Sequence, residues 1–236
     1  MADVPSISKD IAEAYRQLEF IEDLDQRDLS RCIIAEAIVH FHPDGARVML
    51  DSVVDEHHKY RVTMELYAAY GLPSDCASVI ALIELMRAAG HEVEDECEQL
   101  ERVKKKLATG WRATPMRVLS DKENDRQSLQ RSDERLRRTP SLKENAIIYI
   151  GELCVRIQGE DYDSVAPAIR AAGEDVELRD LVTAAMAKAH AIHGRVGKAR
   201  ELVSHVALPE NRIDVLLAID AVTREMGLPP DEQTVH

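Results

Sequence analysis

Apolar residues in this chain recur at three- and four-residue steps, and nowhere does an alternation with a period of two persist. In residues 8–24, Ile11, Ala14, Tyr15, Leu18 and Ile21 fall on one helical face, with Ser8 placed to cap its start. Leu29, Ile33, Ala37 and Phe41 continue the spacing through 26–41. Segments 43–54, 58–71, 74–90 and 93–110 follow, and then 141–159, 163–173, 176–194, 195–206 and 209–227. Gly90, Gly110, Gly159, Gly173, Gly194 and Gly227 close segments, where a left-handed cap favours a residue without Cβ. Pro43, Pro73, Pro140 and Pro209 stand at or just before segment starts, where a missing N–H is harmless. This punctuation predicts an all-α fold built from short helices.

Composition agrees. Hydrophobic residues make up 45% of the 236 but aromatics only 4%. Ala, Leu, Ile and Val therefore carry the apolar load, which suits close helix packing better than a β-sandwich. The net charge of −13 disfavours wrapping a nucleic-acid duplex with the whole surface. Charge is uneven, however: residues 101–143 hold 13 Lys and Arg against 6 Asp and Glu, a balance of +7 that leaves −20 for the rest. The polar, proline-containing stretch 111–140 reads as a basic linker, part helical, between helical regions at 1–110 and 141–236.

Two stretches resemble each other. Residues 35–61 align with 187–212, with one residue of slack, so that Ala46-Arg47 falls on Ala199-Arg200, Leu50 on Val203, Val53 on Val206 and Arg61 on Arg212. Arg27 and Arg61 are 34 residues apart, and Arg179 and Arg212 are 33 apart. In 179–211, Ala187 looks like the small residue where two paired helices cross, Ala199 like the small residue early in the second helix, Val206 like the later apolar position and Pro209 like the proline near a repeat's end. Ala46 and Val53 hold the matching places in the first copy. This pattern resembles a degenerate tetratricopeptide repeat over roughly two thirds of the chain. The usual Trp, Gly and Tyr of the first helix are missing, and Gly71-Leu72-Pro73-Ser74-Asp75 breaks the spacing. The resemblance implies an α-solenoid of antiparallel helical hairpins, in two halves, that binds a protein or peptide through a concave face.

The side chains that could carry chemistry are few. His40, His42, His57 and His58 lie within nineteen residues, beside Asp44 and Asp55, and are metal ligands by type. At the end of one helix and the start of others, the same residues serve as caps and turn residues, because a terminal histidine complements the helix dipole. Tyr60, Tyr67 and Tyr70 have helical spacing and are candidates either for a peptide-binding face or for the core. Arg27, Arg61, Arg179 and Arg212 are candidates for gripping a partner's carboxylates, or for pairing with Asp28, Asp180 and Asp214. Arg131, Arg135, Arg137 and Arg138 form the centre of a candidate anion-binding patch. Cys32, Cys76, Cys97 and Cys154 are scattered without a C-x-x-C pair and read as reduced, small hydrophobes.

Phosphate-loop, dinucleotide, nucleophile-elbow and zinc-protease motifs are all missing. The sequence thus points away from an enzyme and from a cofactor, towards an adaptor, chaperone or effector that binds another protein or peptide. Two other readings stay open: a metal-dependent enzyme centred on His40, His42, His57 and His58, and a nucleic-acid-linked regulator using the basic 102–143 segment. The N-terminus lacks the charged start and apolar run of a signal peptide, and no stretch is apolar enough to span a bilayer. A cytoplasmic bacterial protein is the expectation, with signal-independent secretion left open.

Overall fold

The computed structural model describes residues 7–115 and 176–228, and every regular element in them is helical. Helices α1 (Lys9–Gln17), α2 (Leu24–Ile38), α3 (Pro43–Asp51), α4 (Glu56–Tyr70), α5 (Pro73–Ala88) and α6 (Glu94–Ala108) make up the first stretch. Helices α7 (Val176–Ile192), α8 (Val196–Val203) and α9 (Pro209–Glu225) make up the second. The all-α expectation is met among the described residues. The segments expected at 141–159 and 163–173, Pro140, Cys154, and all of the linker beyond residue 115 lie outside them.

Local chemistry sets the boundaries. Ser8 Oγ accepts from the Ile11 N–H at 3.2 Å to cap α1. Asp23 and Asp55 cap α2 and α4 by accepting from the amides of Gln26 (2.8 Å) and His58 (2.7 Å). Pro43, Pro73 and Pro209 take the first positions of α3, α5 and α9. Gly71 closes α4 at φ +66°, a conformation that would strain any side chain.

One expected helix divides. Residues 8–24 form α1, a 3-10 turn over Leu18–Phe20 and the first residue of α2. The break comes from Asp23, whose carboxylate starts a new helix, and from Arg27, whose guanidinium Nε reaches back 2.8 Å to the Ile21 carbonyl.

The described chain forms two compact units. The first holds residues 18–115, with α2 to α6. Its α4, α5 and α6 enclose Tyr60, Met64, Tyr67, Val79, Leu82, Ile83, Met86, Val93 and Leu100. The second unit contains α7, α8 and α9 together with residues 8–17, so that α1 packs on α9. An N-terminal region drawn at 1–110 does not capture this: α1 is sequence-local to the first unit and folds with the second. The core of the second unit is small and aliphatic, with Ala187, Ala191, Ala199, Val206, Val215, Ile219 and Val222 fully buried among others. Alanines at the α7–α8 and α7–α9 contacts let backbones approach closely, which compensates for the scarcity of large side chains.

Candidate functional site

The two units repeat a set of polar contacts. Asp28 in α2 is 8% exposed, and its Oδ2 accepts from the Val54 amide, 26 residues on, at 2.7 Å. Asp180 in α7 is 5% exposed and accepts from the amides of Ala207 and Leu208 and from Asn211 Nδ2 at 2.8 Å. Each carboxylate thus takes up amides in the loop between the short helix and the long helix after it (α3 to α4, α8 to α9). A buried charge held by two or three donors is stable there, whereas an unpaired one is not.

A second contact recurs one layer further. In α3, Arg47 follows the fully buried Ala46 and forks onto Asp75 in the first turn of α5, with Nε at 3.0 Å and Nη2 at 2.8 Å. In α8, Arg200 follows the fully buried Ala199 and forks onto Asp10 in the first turn of α1, with Nε at 3.4 Å and Nη2 at 2.6 Å. Asp75 is 4% exposed and Asp10 is 6% exposed. Donating to Asp75 raises the Arg47 pKa further above its already high value.

Burial follows the same register. Asp75, Val79 and Leu82 on α5 correspond to Asp10, Ala14 and Gln17 on α1, and all six are buried. The helices of the first unit therefore match those of the second in the order α2, α3, α4, α5 against α7, α8, α9, α1. The second unit fills its fourth position with the N-terminal helix. There Ser8 Oγ donates to Asp220, which is itself paired with Arg224 one turn along α9.

The residues singled out from sequence take up separate tasks. His40 lies in the turn after α2, which ends at Ile38 rather than at Phe41, and its Nε2 stands 3.0 Å from Glu65 Oε1. His42 precedes α3, with its ring so close over Gly45 that a Cβ on that glycine would fall 2.3 Å from Cδ2. His57 stacks edge-on against His91 with centroids 4.7 Å apart, and His58 Nδ1 pairs with Asp55 at 2.8 Å. The structure does not bring the four together. Among the described residues, no group of three or more His, Cys, Asp or Glu side chains is placed to hold a metal ion.

The tyrosines turn inward. Tyr60 and Tyr67 are buried in the α4–α5–α6 core, and the Tyr60 hydroxyl donates to the Glu96 carbonyl at 3.1 Å. Burial pushes the Tyr60 phenol up to about 12. The Tyr70 hydroxyl donates to the Val39 carbonyl at 2.8 Å, closing the end of α2, and Arg47 lies over its ring.

The four arginines do not form one ladder. Arg27 and Arg212 share a contact, each holding a carbonyl six residues upstream, those of Ile21 and Val206. Arg61, aligned by sequence with Arg212, instead pairs with Glu36 on the surface at 2.7 Å. Arg179 is exposed on α7. Of the carboxylates considered as their partners, Asp214 is taken by Lys188 at 2.6 Å. Arg131, Arg135, Arg137 and Arg138 lie outside the described residues.

Sequence reasoning overlooked Asp10 and Asp75, the partners of the aligned arginines. The signal was present: Gly71-Leu72-Pro73-Ser74-Asp75 recurs as Gly227-Leu228-Pro229-Pro230-Asp231, of which residues 229–231 lie outside the described residues. The aspartate actually bound to Arg200 is Asp10.

No protein-family model, curated protein or solved structure matches the chain. No helix among the described residues is long and apolar enough to cross a membrane.

Proposed function

We propose that this chain is a helical-repeat binding protein, an α-solenoid of paired helices in two halves that serves as adaptor, chaperone or effector for a protein or peptide partner. One observation carries the reading. Four residues before the buried Asp28 stands Leu24, 69% exposed, and four residues before the buried Asp180 stands Val176, 60% exposed. A large apolar side chain is thus left in water at the same place in both repeats.

In the first unit the patch is wider. Val54, 79% exposed, is tethered by its amide to Asp28, which follows Leu24 by one helical turn. Exposed aliphatic side chains grouped in this way mark a surface that another molecule covers. Asp23 and Asp55 are engaged in helix caps, and Asp10 and Asp75 in ion pairs.

The test uses the tagged full-length chain and its Leu24→Glu/Val54→Glu and Val176→Glu variants in quantitative affinity capture from native cells. A specific partner should fall about tenfold with the substituted surface, as loss of one well-packed apolar anchor implies. A partner captured equally by all the chains would remove the proposal, as would the lack of any partner enriched over a tag-only control.

A further inference from the structure

The fourth helix position of the second unit is filled by a helix that no short loop ties to it. In the first unit α5 follows α4 after Gly71 and Leu72 alone, so that its seat and its occupant are inseparable. In the second unit the seat belongs to α8 and α9, while the occupant, α1, is joined by residues 18–23 to α2 of the first unit. Arg200 and Asp10 meet across 190 residues of sequence.

Among the described residues, side chains make the polar contacts that hold α1. Arg200 forks onto Asp10, Ser8 donates to Asp220, and Ile11 and Ala14 are fully buried with Gln17 beside them. This is the recognition pattern of an amphipathic helix in a groove, with anchors at helical spacing and a charged pair that fixes register. At nine residues α1 is too short to persist as a helix in water, so it gains its structure from the seat.

We infer that this seat is an interaction surface for a second copy of the chain, which accepts the other copy's α1 in exchange for its own. The exchanged helix makes the same contacts as the resident one. The balance between closed monomer and reciprocal dimer is then set by chain concentration against the effective concentration conferred by the tether.

The Arg200–Asp10 pair allows a direct test. An Asp10→Arg chain faces Arg200 with an arginine, and an Arg200→Asp chain faces Asp10 with an aspartate, so each opposes its own α1. Together they are complementary at both seats: one seat regains the native pair and the other holds its reverse. The two full-length variants are unfolded in urea, refolded together, and weighed by light scattering and native mass spectrometry. The expected product is a mixed dimer of twice the 26.5 kDa chain mass, at least tenfold enriched over either self-dimer. A chain carrying both substitutions should remain monomeric, because its own helix matches its own seat.

Two monomeric variants that keep their helical circular dichroism and still fail to combine would overturn the proposal. Should either variant fail to fold alone, the measurement moves to tagged and untagged wild-type chains refolded together at millimolar concentration. Hybrid dimers that disappear with Ile11→Asp support the exchange, and their absence refutes it.

Discussion

Replacing Asp180 with alanine tests whether the buried carboxylates hold the repeats together. The side chain is 5% exposed and serves three donors: the amides of Ala207 and Leu208 and the Asn211 side-chain amide. Hydrogen bonds to a charged acceptor contribute about 1.5–3 kcal/mol each where water is excluded, and less where it can replace them. Ala207 is exposed and Asn211 can turn outward, so these two lose about 0.5–1 kcal/mol each. The Leu208 amide opens α9, and its loss resembles that of a helix cap, about 1–2 kcal/mol. The total is about 3 kcal/mol for Asp180→Ala.

Asp28 offers an internal comparison. It serves one backbone amide, that of Val54, and pairs with Arg31 at 2.7 Å, which remains half-solvated after truncation. Its alanine variant should lose about 1–2 kcal/mol. Urea unfolding of the full-length chain, followed by far-ultraviolet circular dichroism, gives both numbers from the shift in midpoint. An Asp180→Ala loss below about 1 kcal/mol, or one smaller than that of Asp28→Ala, would show that donor counting is the wrong account of these residues.

Two further outcomes follow from buried titratable groups. His190, 2% exposed, has its pKa lowered from 6.5 to about 4 by burial and then by the charges of Arg195 and Lys198. Between those values the unfolded chain binds a proton that the folded chain refuses, so stability falls as pH drops from 6.5 to 4. The loss specific to this residue is about 3 kcal/mol, and His190→Leu should flatten that part of the pH–stability curve; an unchanged slope would contradict the assignment. The thiol of Cys32, fully buried and pushed up to about 11 by burial, should resist a water-soluble disulfide reagent in the native state while the half-buried Cys76 and Cys97 react. Mass mapping that finds Cys32 modified as fast as Cys97 would refute this.

What was legible in the sequence was what neighbouring residues decide. Helix starts at Pro43, Pro73 and Pro209, and ends at Gly90, Gly110, Gly194 and Gly227, depend on the chemistry of a single turn. The fully buried Ala46, Ala187 and Ala199 were visible because small residues stand out in a periodic pattern. Tyr60 and Tyr67 were harder, since helical spacing is the same for a groove-facing and a core-facing stripe, and only the packing of α5 and α6 distinguishes them. The histidines looked like a cluster because proximity in sequence was read as proximity in space. The turn after α2 and the first turn of α4 hold His40, His58 and His57 against separate partners: Glu65, Asp55 and His91. Least legible was the destination of α1, because nothing within reach of Asp10 along the chain names an arginine 190 residues away.

That separation has a consequence for synthesis. At about 5–20 residues per second, α1 leaves the ribosome roughly 10–40 s before Arg200 and α9 exist to receive it. Until then Ile11 and Ala14 have no seat, and a helix of nine residues does not hold its own shape. The first unit can close as soon as residue 115 has emerged, whereas the second must wait until α8 and α9 have followed α1. Its assembly is therefore the long-range, slow step of folding.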